Sequence, residues 1–136
     1  MRFEGYLVKS GKFWSVEIPL LHIHTQGRSR KDAYAMAKDA IESLLEEKEF
    51  KVRIHPGQAD TFAIEASELS PFIAFMLKRQ RSFRNLTVRD VAARMGSKSP
   101  NAYAQYEHGK VRPSFDKLVE ILRAIDPEFQ PVLKAS

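Results

Sequence analysis

The sequence predicts an α+β protein: a small antiparallel sheet carrying one long helix, followed by an all-helical domain. Over Arg2 to Lys9 and Phe13 to Ile18 β-branched and aromatic residues dominate, the second stretch alternates with period two, and Lys51 to His55 and Thr61 to Ala66 read as strands. From Ser70 onward the apolar residues recur at helical spacing instead. Charge divides the chain at the same place. Residues 1–66 hold ten Lys/Arg and ten Asp/Glu, residues 67–136 hold twelve and seven, and the net charge of +5 lies wholly in the second half. The expected domains are therefore 1–67 and 68–136.

Composition excludes several function classes. With 43% apolar and 29% charged residues the chain has the mass for a core and no sign of wholesale disorder. No apolar run approaches the ~18 residues of a membrane span. The segment Met1 to Ser10 carries Arg2, Glu4 and Lys9 and lacks the apolar stretch of a secretory signal, so a cytoplasmic protein without membrane contact is expected. The absence of cysteine removes disulfides, thiolate metal sites and cysteine nucleophiles. A basic half joined to a neutral half implies a polyanion-binding module attached to a module with another task.

The first elements are a hairpin, Arg2 to Lys9 and Phe13 to Ile18, turned at Ser10-Gly11-Lys12. In its second strand Trp14, Val16 and Ile18 alternate with Ser15 and Glu17, and Pro19 ends the regular pairing. Leu21 to Gln26 reads as a third strand, stopped by Gly27. A helix then begins at a capping box formed by Ser29 and Asp32. Its apolar stripe is Ala33, Ala37, Ala40, Ile41, Leu44 and Leu45, with Lys38, Asp39, Glu42, Glu46 and Glu47 facing elsewhere. Lys51 to His55 and Thr61 to Ala66 read as strands on either side of a Pro56-Gly57 turn.

In the second half Ser70 is placed to cap a helix with Pro71 at its first position and Phe72, Ile73, Phe75 and Met76 on its buried face. Thr87 and Asp90 form another capping box, starting a helix Val88 to Met95 whose Val91, Ala92 and Met95 face inward. Ala92 is small where a second helix must cross, and Gly96 supplies the positive φ of a sharp turn. Ser99 is placed to cap the next helix, Pro100 to about Tyr106, with Pro100 at its first position. There Tyr103 and Tyr106 share the inner face and Asn101, Ala104 and Gln105 the outer one. Two short helices at a steep angle, the second with small polar residues outward, is the helix-turn-helix arrangement.

On the residues Leu86-Thr87, Val91-Ala92, Gly96, Tyr103, Tyr106-Glu107, Gly109-Lys110 and Pro113-Ser114, followed by a helix Phe115 to Ile125, residues 72–125 resemble the Cro and phage-repressor (XRE) class of helix-turn-helix domains. The resemblance implies that Asn101 and Gln105 reach base edges, where their amides match adenine N6 and N7. It implies that Thr87, Lys98, Ser99, Lys110 and Arg112 hold phosphates of double-stranded operator DNA. It further implies an ion pair between Arg81 and Glu107, a structural tie from the first helix to the end of the recognition helix. Such domains act as homodimers or higher homo-oligomers, and Pro127 to Leu133 is a candidate interface. Val88 stands where the class often carries a phosphate-binding glutamine.

The first half resembles the N-terminal domain of HicB antitoxins, a partial RNase H-like sheet and helix. The residues are Tyr6 and Val8, Phe13-Trp14-x-Val16-Glu17-Ile18-Pro19, Thr25-x-Gly27, and the helix with Ala33, Ala37, Ala40-Ile41-Glu42 and Leu45. This resemblance implies an antitoxin that neutralises a HicA-type mRNA-cleaving toxin and represses its own operon. The neutral charge fits a protein partner better than a nucleic acid. The toxin-contacting residues are not legible.

A nuclease would need several carboxylates converging on magnesium, yet Glu4 and Glu17 are the only acids on the early strands, so no enzyme and no cofactor are expected. His22 and His24 alternate on the expected third strand as a metal pair would, without a third ligand. The alternative outside the antitoxin class is a ligand-sensing XRE-type repressor with no toxin partner.

Overall fold

A computed structural model describes residues 1–45 and 50–135. The chain divides into two compact units, Met1–Phe72 and Ile73–Ser136. The architecture is α+β, with a five-stranded antiparallel sheet and five α-helices among the described residues.

In the first unit, β1 (Arg2–Ser10) and β2 (Phe13–Ile18) form the expected hairpin, with Gly11 at φ +60° in its turn. The expected third strand begins later. Pro19–Leu21 is a single 3₁₀ turn, His22 takes a left-handed φ of 50°, and β3 is Ile23–Gly27. Proline pre-sets the φ of this turn, and Leu21 is thereby driven into the core at 0% exposure instead of sitting on a strand. His22 and His24 therefore do not alternate on one strand face. Among the described residues, no group of three His, Cys, Asp or Glu is placed to hold a metal.

Helix α1 (Arg30–Leu45) starts as its cap residues dictate: Ser29 Oγ accepts the Asp32 amide at 3.0 Å. The reciprocal bond of the box is shifted by one residue, because the Asp32 carboxylate accepts from the Arg28 amide at 2.8 Å. Its buried stripe is narrower than the pattern predicts. Ala33, Ala37 and Ile41 are fully buried, whereas Ala40 and Leu45 are half-buried and Leu44 is exposed. Glu42, expected to face solvent, is half-buried and accepts the Val52 amide at 3.2 Å. Glu46 and Glu47 lie outside the described residues.

After α1 come β4 (Val52–Pro56) and β5 (Thr61–Ala66), each one residue or less from expectation at its start. Pro56 belongs to β4, and the turn is made by residues 57–60 with Ala59 at φ 53°. The sheet order is β3-β2-β1-β5-β4, so the last hairpin returns to pair β5 with β1. Opposite Phe62 in this pairing stands Gly5, where a Cβ would lie 2.3 Å from the Phe62 ring. The ring occupies the space a side chain would need, and it meets Tyr34 of α1 edge-on at 5.7 Å.

One face of the sheet is closed by α1, with Leu7, Val16, Ile18, Phe62 and Ile64 buried beneath it. Side-chain alternation sends Glu4, Tyr6, Val8, Phe13 and Glu17 to the other face, where Tyr6, Val8 and Phe13 are 38%, 50% and 43% exposed. At the rim of the closed face, Arg30 lies 4.6 Å over the Trp14 ring and pairs with Asp60.

The unit boundary falls in the first turn of α2 (Leu69–Phe83). The helix begins earlier than Ser70 and Pro71 indicate, placing Pro71 third. That position is tolerated because the first-turn amides have no intrahelical acceptor to lose. The remainder of the second unit is α3 (Val88–Arg94), α4 (Asn101–Glu107) and α5 (Phe115–Ile125). Its core holds Leu77, Val91, Ala92, Tyr103, Ile121, Leu122 and Ile125. Among the described residues no helix is long and apolar enough to cross a membrane.

Candidate nucleic-acid interface

The site is built on three consecutive helix ends of one design. At the end of α2, Asn85 takes a left-handed φ of 57°, its amide donates to Ser82 O at 3.0 Å and the Leu86 amide to Arg81 O at 3.2 Å. At the end of α3, Gly96 has φ +79°, its amide donates to Ala93 O at 2.9 Å and that of Ser97 to Ala92 O at 2.9 Å. At the end of α4, Gly109 has φ +74°, its amide donates to Tyr106 O at 3.2 Å and that of Lys110 to Gln105 O at 3.0 Å. Each is the paired Schellman closure, which satisfies the orphan carbonyls and reverses the chain within two residues. Short helices can thus follow one another at steep angles.

The helix starts are equally local. Thr87 Oγ1 accepts the Asp90 amide at 3.0 Å, and the Asp90 carboxylate accepts the Thr87 amide at 2.8 Å. The Thr87 backbone amide and then its hydroxyl hold the Asp90 carboxyl below the usual carboxylate range. Helix α4 begins at Asn101, one residue later than expected, with Pro100 at the cap position. Proline has no side-chain acceptor, and Ser99 Oγ takes the Asn101 amide at 3.3 Å in its place. Ser97 Oγ in turn donates to Ser99 O at 2.8 Å, tightening the turn that carries Lys98. Ser114 caps α5 by accepting the Lys117 amide at 3.1 Å.

What anchors α4 is a charged tie. Arg81 donates from Nε and Nη2 to the Glu107 carboxylate at 2.5 to 3.0 Å, and from Nη1 to Leu86 O at 2.7 Å. One guanidinium thus joins α2, the loop that begins α3, and the last turn of α4. The pair is sequestered, with side-chain exposures of 15% and 5%, and the hydrogen bonds to Glu107 raise the Arg81 pKa. Tyr103 is buried beside it. Burial first, and then the neighbouring Glu107 charge, push its phenol above the usual tyrosine range.

Asn101 and Gln105 both stand exposed on α4, one helical turn apart. Tyr103 is buried and Tyr106 half-buried on the opposite side, and Ala104, expected outside, is half-buried. The residue that sequence reasoning missed is Ala102, which is exposed and completes the outer face of Asn101 and Gln105 at i+1 and i−3. Its methyl group has the chemistry to meet a thymine methyl, and helical spacing alone would have found it. Lys98 and Ser99 precede α4, and Lys110 and Arg112 follow it; all four are exposed. Neither Lys98 nor Lys110 forms an ion pair among the described residues. Thr87 is exposed too. Arg89, exposed in the first turn of α3, is a further cation of this kind that the spacing argument passed over. Polar groups of this chemistry on one short helix and at both its ends can read base edges and hold phosphates.

Residues 77–127 match the family model described as helix-turn-helix, spanning the second half of α2 through the end of α5. This segment accordingly performs sequence-specific DNA binding in transcriptional regulation. No curated protein matches the chain.

Proposed function

We propose that the chain is a HicB-type antitoxin whose second unit represses its own operon and whose first unit neutralises a HicA-type mRNA-cleaving toxin. The observation that supports the second task is the open sheet face. A sheet closed by α1 on one side leaves Tyr6, Val8 and Phe13 exposed on the other, flanked by Glu4 and Glu17. Aromatic and aliphatic side chains with a polar surround are what a protein interface uses. In this reading the first unit acts by binding and not by catalysis, and the protein works in the cytoplasm.

For DNA, Asn101 and Gln105 read bases in the major groove, with Ala102 between them, while Thr87, Lys98, Ser99, Lys110 and Arg112 fix the register on the backbone. Two copies present two recognition helices to successive major grooves, about 34–36 Å apart. The test is co-expression with the product of the adjacent small open reading frame. Co-purification through residues 1–72 and relief of growth arrest support the antitoxin reading. A neighbour that is not toxic, or that the chain does not neutralise, overturns it and leaves a repressor without a toxin partner. Retention of an upstream operator duplex by the full chain tests the DNA task separately.

A further inference from the structure

In the second unit, three arginines at or beside the ends of three helices line one cleft of about 510 Å³. Arg84 follows α2, Arg94 ends α3 and Arg123 lies in the last turn of α5, with Leu86, Ile125 and Pro127 as apolar wall. We propose that this cleft binds a phosphate group.

Its charge is unbalanced. The carboxylate paired at the cleft, Asp126, has both oxygens engaged: Oδ2 pairs with Arg84 Nη2 at 3.0 Å, and Oδ1 accepts the Glu128 amide at 3.1 Å. The hydrogen bonds that Arg94 makes among the described residues go to carbonyl oxygens, those of Ala124 and Ile125 at 3.1 and 3.4 Å, through a single nitrogen, and the Asp90 carboxylate lies within Coulombic reach of it. Arg123 makes one long contact, from Nε to Phe129 O at 3.5 Å. Asp90, one turn before Arg94, is committed to the Thr87 cap. A guanidinium carries five donors, so most of the donor capacity of the three faces the cleft or solvent.

Geometry selects the ligand class. A carboxylate brings two oxygens and one charge, and suits one guanidinium fork. A phosphate brings three or more acceptor oxygens and up to two charges, which matches several converging forks. The apolar wall leaves room for an organic group attached to it. The same chemistry could come from a small phosphorylated molecule or from the backbone of a duplex.

The experiment follows amide shifts of the full chain during titration with inorganic phosphate, against sodium chloride at equal ionic strength. Saturable shifts at Leu86, Ala124 and Ile125 are expected, weakened at least about tenfold in Arg123→Gln, as loss of a charge-assisted hydrogen bond predicts. Arg123 is the informative substitution because its only described bond is the long one to Phe129, so the variant should keep the fold. Shifts that follow ionic strength alone, or that Arg123→Gln leaves intact, overturn the proposal. With saturable binding in hand, the salt dependence of duplex binding names the source. A slope reduced by about one phosphate in Arg123→Gln assigns the site to the DNA backbone, and an unchanged slope assigns it to a small phosphorylated ligand.

Discussion

The two units reach order by different means. In the second unit every helix end near the site is fixed by residues within about five positions of one another: Thr87 with Asp90, Ser114 with Lys117, and left-handed turns at Asn85, Gly96 and Gly109. In the first unit the decisive contacts are distant in sequence, with β5 beside β1 and the Phe62 ring lying over Gly5. Helix α4 is thus placed by local hydrogen-bond chemistry plus one ion pair. The exposed sheet face is instead placed by strand pairing, where a shift of one residue would exchange its two faces.

The largest effect is expected at Glu107. Replacement by Ala leaves the sequestered Arg81 guanidinium without its partner, and a loss of roughly 3–5 kcal/mol is expected in the unfolding of the second unit. Hydrogen exchange resolved by unit checks it, with protection of the first unit unchanged. The equivalent lesion in the first unit is Gly5→Ala, whose new methyl must displace the Phe62 ring. Overpacking of this kind costs about 1–3 kcal/mol, and the loss should appear in residues 1–72 while duplex affinity stays the same.

Function sharpens the contrast next. Gln105→Ala is expected to cost about 1–3 kcal/mol on the preferred duplex and to relax preference at one position, measured by binding to a panel of substituted sites. An equal loss on every sequence would show that Gln105 touches only backbone. Lys110→Ala should lower affinity on all sequences and shallow the salt dependence.

The smallest effect is one of pH. The Asp90 carboxyl is held below its ordinary value, so its contribution to stability is complete above the ordinary carboxylate range and is lost as pH falls through the lowered value. The difference in Tm between the wild-type chain and Asp90→Asn should narrow as pH falls from about 7 towards 3.

How far the sequence was legible follows the same division. The cap at Thr87, the positive φ at Gly96, the helix over residues 115–125 and the inward Tyr103 were readable because each is a short-range consequence of residue type. The start of β3 was misplaced because Pro19 and His22 close a 3₁₀ turn that period-two alternation conceals. The width of the α1 stripe was overstated, since Leu44 has the right spacing but stands 47% exposed. Ala102 was passed over because an alanine carries no polar group to mark it, although its spacing from Asn101 and Gln105 puts it on their face.

Residue type and order suffice for the α+β class, the basic character of the second half, and the short-range geometry of the helix ends. Those depend on dihedral preferences and on donors and acceptors only a few bonds apart. Only the tertiary structure decided that β5 pairs with β1, that Tyr6, Val8 and Phe13 share an uncovered face, and that Arg84, Arg94 and Arg123 meet in one cleft. The reason is entropic and combinatorial. Closing a longer loop costs only slightly more than closing a shorter one, so separation along the chain ranks the possible partners weakly, and the packing of the finished core makes the choice.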